Sequence, residues 1–129
     1  MNSVSCKSFR AQVTIGLNIG YTTNSISIET VKRELAAAQQ VVKKELNVFL
    51  STKIRTCEIV FLGQEEPSVE LEFIQYPKFI QDEALLKKAI LKLTELMMIT
   101  LQQNRVVIVF NDETIMLEKS EEIDPNIEI

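Results

Sequence analysis

The stretch IRTCEIVFLGQEEPSVELEFIQY, residues 54–76, decides the fold, because everything else in the chain is arranged around it. Two runs rich in β-branched and apolar residues, Ile54 to Leu62 and Ser68 to Tyr76, flank the turn formers Gly63-Gln64-Glu65-Glu66-Pro67. That is the pattern of a hairpin with a five-residue loop. Pro77 closes the second run, since proline cannot donate to a ladder. Setting Phe61 opposite Val69 places Ile59 opposite Leu71 and Cys57 opposite Phe73 on one apolar face. The same register places Val60 opposite Glu70 and Glu58 opposite Glu72 on the other face.

On either side of this hairpin lies a helix pattern, Ile28 to Leu50 before it and Ala84 to Leu101 after it. The first has the apolar stripe Ile28, Val31, Leu35, Ala38, Val42, Leu46 and Phe49, with Ser27 as cap and Ile26 and Val31 as a hydrophobic staple. Asp82 caps the second, whose stripe includes Leu86, Ala89, Ile90, Leu93, Met97 and Leu101. Ahead of the first helix, Val13, Ile15, Leu17 and Ile19 alternate with polar or small residues, the period-two mark of a strand. Beyond the second come Val106 to Phe110, apolar on both faces, and Thr114 to Glu118. The order is β-α-β-β-α-β-β. It predicts an α+β fold, a ferredoxin-like β-α-β-β-α-β plait with an additional C-terminal strand and two helices on one face of an antiparallel sheet.

The chain has 129 residues, 46% of them hydrophobic, with three glycines and three prolines, which suits a single α+β domain over residues 9–118. A flexible N-terminal arm, residues 1–8, and an acidic C-terminal tail, residues 119–129, extended or disordered, are expected at the ends. Fourteen basic against eighteen acidic residues, with the basic ones scattered in pairs such as Lys32-Arg33, Lys43-Lys44 and Lys87-Lys88, argue against nucleic-acid binding. The sheet also lacks the stacking rings that RNA recognition needs. No apolar run approaches the ~20 residues that span a bilayer, and no leader pattern opens the chain, so the expectation is a cytoplasmic protein without membrane contact. Two cysteines, Cys6 in the arm and Cys57 on the apolar strand face, do not make a disulfide framework.

Histidine is absent, which excludes imidazole triads and His-based zinc sites. No cofactor motif is present: the chain has neither a phosphate-binding loop nor a dinucleotide-binding glycine pattern. The remaining chemistry lies in two places. Glu58, Glu70 and Glu72 form a candidate acidic site for a ligand or partner, of a kind that suits a hard cation such as Mg²⁺ or Ca²⁺. The polar run Tyr21, Thr22, Thr23, Asn24, Ser25 and Ser27, leading into the first helix, is a candidate anion-binding turn.

Val60, Leu62, Ile74, Val107 and Val109, bordered by glutamates, compose an uncovered sheet face that invites a second copy. The leading expectation is therefore a noncatalytic interaction or regulatory module, homodimeric through that face and holding a protein partner. The alternative is a small-molecule- or metal-binding protein or enzyme using the carboxylate cluster, with Tyr21 or Tyr76 nearby, at a subunit interface.

Overall fold

The computed structural model describes residues 1–123. Its elements run β1 (Arg10–Gly16), α1 (Ile28–Leu46), β2 (Lys53–Phe61), β3 (Gln64–Ile74), α2 (Glu83–Thr100), β4 (Arg105–Phe110) and β5 (Thr114–Glu118). The five strands form one antiparallel sheet in the order β2-β3-β1-β4-β5. The α+β class, two helices and an antiparallel sheet, is as the sequence predicts.

Alternation along the inner strands builds the core. Ala11, Val13 and Ile15 of β1 sit beside Phe73, Leu71 and Val69 of β3, and Ile108 and Phe110 of β4 stand beside Val13 and Ala11. All are buried, and they join the buried residues of both helices in one cluster. Burying each large side chain of this kind contributes ~1.5–3 kcal/mol relative to leaving it in water. Met97 and Met98 are both buried in this core.

The helix ends follow local chemistry. Ser27 caps α1 by accepting from the Thr30 N–H, and Asp82 caps α2 by accepting from the Leu85 N–H. Helix α1 stops at Leu46 rather than at Leu50, because Asn47 takes the left-handed conformation (φ 56°) in which Asn is tolerated. Phe49 consequently leaves the stripe and meets Phe79 edge-on, ring centroids 5.6 Å apart.

The hairpin departs from its expected register. Phe61 pairs with Gln64, so only Leu62 and Gly63 form the turn, and Gln64 to Pro67 belong to β3. Both turn residues have positive φ, 50° at Leu62 and 86° at Gly63, as a type I′ turn requires. The shift changes pairing by an odd number of residues, so every β2 side chain exchanges faces. Cys57, Ile59 and Phe61 point away from the helices, and Cys57 is half-buried on the open face rather than a core residue. The apolar face expected from Cys57, Ile59 and Phe61 is thus corrected: Ile54 alone of β2 packs against the core.

Pro67 lies in an interior strand without breaking it. In the step after Gly16 and Ser68, Leu17 donates to the Pro67 carbonyl at 2.8 Å, and the return bond is the one proline cannot make. The Leu17 carbonyl is instead taken by the Ile26 N–H at 2.6 Å. Here β1 leaves the sheet, and the distal half of the β2–β3 hairpin projects as a two-stranded arm.

Leu62 is 79% exposed and occupies a backbone conformation that Asn or Gly adopts with less strain. Leu62→Asn is expected to stabilise the protein by about 0.5–1 kcal/mol, raising Tm by roughly 2–6 °C in thermal unfolding. A fall in Tm would contradict the turn assignment.

Candidate functional site

On the open face of the sheet the observed register replaces opposed carboxylates by cross-strand ion pairs. Lys53 stands opposite Glu72, and Arg55 opposite Glu70. Arg10 and Gln12 of β1 hydrogen-bond Glu72 at 2.9 and 3.2 Å, Lys53 approaches it at 3.5 Å, and Arg55 bonds Glu70. Glu72 is therefore buried beneath its own cations, 6% exposed. The hydrogen bonds from Arg10 and then Gln12 outweigh the effect of burial and, with the charges of Arg10 and Lys53, lower its pKa from 4.5 to about 2.

Glu58 does not join them. It pairs with Pro67 on the opposite side of the strand and is exposed. Among the described residues no group of three His, Cys, Asp or Glu side chains is placed to hold a metal ion.

The expected contact face is likewise divided. Ile74, Val107 and Val109 lie on the open face, but Val60 and Leu62 do not. Val60 is on the other side of β2, and Leu62 is at the turn tip. Ile59 and Phe61 supply the apolar side chains that β2 presents to the open face.

A cleft of about 670 Å³ opens where β1 leaves the sheet. One wall is the projecting hairpin, with Ile59, Phe61, Gln64, Glu65 and Glu66; the facing wall is the loop after β1, with Asn18 and Gly20 to Thr23. The end is closed by Gln103, Asn104 and Arg105 as α2 passes into β4, and by Ile123.

The loop is held closely. Ile19 N–H donates to Asn24 O at 2.7 Å, the Thr22 hydroxyl donates to Ile19 O at 2.6 Å, and Gly20 N–H donates to Gln102 O at 2.9 Å. Gln103, itself buried, donates to Asn18 O at 2.6 Å, and Arg105 is engaged by Glu118 at 2.7 Å. A Cβ on Gly16 would overlap Glu66 Oε1 and come within 3.1 Å of Gln103 Oε1. The glycine thus lets the Glu66 carboxylate lie over the strand at the base of the cleft.

Of the expected turn residues, Tyr21, Thr22 and Thr23 line this cleft, while Ser27 is used as the helix cap and Asn24 and Ser25 hold the loop's backbone. Tyr76 is remote, bonding Ser51 at the opposite end of the sheet. Sequence reasoning missed Glu65, Glu66, Gln103, Asn104 and Arg105. Two signals were present. Glu66, Ser68, Glu70 and Glu72 continue one alternation, and a glycine inside a strand often marks a close approach.

No protein-family model matches the chain, and no curated protein matches it in sequence. Solved structures do match in fold. A phage SAM lyase in complex with S-methyl-5'-thioadenosine superposes with a TM-score of 0.68 at 15% identity, over 95% of this chain and 98% of that one. A phage SAM lyase in the apo state gives 0.65 at 18% identity, over 89% and 91%. These likenesses overturn the expectation of a noncatalytic interaction or regulatory module: the two phage proteins that share the fold are lyases, and they favour the small-molecule alternative. Among the described residues no helix is long and apolar enough to cross a membrane.

The depressed pKa of Glu72 has a direct consequence for acid stability. Its contribution is complete above the ordinary value of 4.5 and is lost as pH falls through about 2. Glu72→Gln is expected to be less stable at pH 7 and to show a shallower loss of unfolding free energy between pH 4.5 and 2, measured by urea titration. Parallel pH profiles for the two proteins would refute the ion-pair lattice.

Proposed function

We propose that this chain is an S-adenosylmethionine lyase, releasing S-methyl-5'-thioadenosine, and that the cleft beside Glu66 is its site. The observation that carries the reading is the fold shared over nearly the whole of both chains with a phage SAM lyase that holds that nucleoside. We also read the strand order β2-β3-β1-β4, with its two helices, as a ferredoxin-like plait extended by β5. The two free cysteines, Cys6 and Cys57, suit a reducing, cytoplasmic setting.

The residues of the cleft fit the chemistry. Its volume of about 670 Å³ falls in the ~300–1,000 Å³ range of small-molecule sites. Phe61 and Ile59 offer apolar surface to a purine, and Thr22 and Thr23 offer hydroxyls to a ribose. The carboxylates of Glu65 and Glu66 complement a sulfonium cation, while Arg105, the one cation lining the cleft among the described residues, is paired with Glu118.

Cleavage breaks the bond between sulfur and the amino-acid carbon, and its electron pair stays on sulfur. The leaving group is a neutral thioether, which needs no proton. Departure of the leaving group therefore does not call for histidine, which this chain lacks. Because a lyase adds no water, the carbon released must be satisfied within the substrate, either by losing a neighbouring proton to a base or by closing on the substrate's own carboxylate.

Incubation with S-adenosylmethionine and chromatography of the products tests this directly. Release of S-methyl-5'-thioadenosine is expected, with a roughly hundredfold loss of rate in Glu66→Gln. Gly16→Ala, which must push the Glu66 carboxylate aside, is expected to lose activity while its Tm stays within about 3 °C of the parent, since the crowding atoms are side-chain ends, that of Glu66 moving most and that of Gln103 by a few tenths of an ångström. No product, together with no binding of S-methyl-5'-thioadenosine by calorimetry, would end the proposal.

A further inference from the structure

Three separate parts of the chain meet at one phenol. Tyr21, in the cleft loop, accepts from Asn104 Nδ2 at 3.0 Å and from Arg105 Nη1 at 3.1 Å, and its hydroxyl donates to the Glu122 carbonyl at 3.0 Å. One donor and two acceptor positions are all that a phenol has, so the group is saturated.

Asn104 grips the same C-terminal segment. Its Oδ1 accepts from the Ser120 N–H at 3.1 Å and from the Ser120 hydroxyl at 2.9 Å, while its Nδ2 donates to Glu122 O at 3.1 Å. Its carbonyl accepts from the Lys119 N–H at 2.9 Å. Residues 119–122, expected from sequence to be extended or disordered, have no helix or strand of their own, yet they are tied to the end of the cleft by side chains. The remainder of the expected tail, residues 124–129, lies outside the described residues. Ile123 follows directly and lines the cleft while remaining 55% exposed.

We infer that the segment Lys119–Ile123 is a retaining wall of the cleft, and that Tyr21 and Asn104 are positioning residues which hold it against the bound nucleoside. The inference rests on the cleft being the nucleoside site. Tyr21 and Asn104 both line the cleft and both bond the segment, so occupancy of the cleft and order in the segment are coupled through these two side chains. The wall governs how long a ligand stays, which is an effect on dissociation rather than on encounter.

Two variants separate the wall from general stability. A chain ending at Glu118 removes it, and Tyr21→Phe keeps the ring in the loop but removes all three hydroxyl bonds. With S-methyl-5'-thioadenosine as the probe, the truncated chain is expected to bind about tenfold more weakly, with the loss in dissociation rate, while Tyr21→Phe loses about three- to fivefold. Thermal unfolding of Tyr21→Phe should move by less than about 4 °C.

Equal dissociation rates in parent and truncated chains would overturn the inference. If the intact chain fails to bind the probe, the nucleoside reading has failed by itself. The wall is then read by amide hydrogen exchange of Gly20 to Thr23 and Asn104, which must speed up on truncation; unchanged exchange overturns it independently.

Discussion

A two-residue turn at Leu62 and Gly63 governs this molecule. With both residues at positive φ, the chain reverses immediately after Phe61, and the hairpin is zipped from its tip. Because side chains in a strand alternate with period two, this choice of turn decides which half of β2 meets the helices. It sends Ile59 and Phe61 to the open face and sets Lys53 and Arg55 against Glu72 and Glu70. A five-residue loop with the alternative register would have buried Cys57, Ile59 and Phe61 and opposed two carboxylates.

The consequences divide along the sheet. Toward the start of β2, the open face is sealed by charges that belong to the protein itself, and Glu72 lies beneath Arg10, Gln12 and Lys53. Such a carboxylate is committed to structure. Toward the tip, β1 has already left the sheet at Pro67, and the hairpin has a loop rather than a strand for a neighbour. The gap between arm and loop is the cleft. Glu66 can enter it because Gly16 has no side chain, so the same turn that neutralises one set of carboxylates delivers another to a site.

Under the proposed lyase activity these features share a purpose. A sulfonium substrate loses its charge when the thioether departs. On that proposal, a cleft with carboxylates on one wall, and an arginine already paired on the other, distinguishes substrate from product by that charge. Histidine and phosphate-binding loops have no necessary place in such chemistry. Their absence from the sequence therefore excluded several mechanisms without reaching this one.

Most of the architecture was legible before any coordinates. The alternation of β1, the stripes of α1 and α2, the caps at Ser27 and Asp82 and the bounds of β5 all express local periodicity and hydrogen-bonding chemistry. Near neighbours in the chain suffice to specify them. The hairpin register was not legible, because Leu62-Gly63 and Gly63 to Pro67 both have turn composition, and both hairpins bury apolar side chains. Choosing between them takes long-range terms: the seat of Val69, Leu71 and Phe73 against β1, the pairing of Leu17 with Pro67, and the match of Arg55 to Glu70. The cleft needed still more. Glu66, Asn104 and Tyr21 are far apart in sequence, and only the packed sheet, with β1 between β3 and β4, brings their side chains to one place.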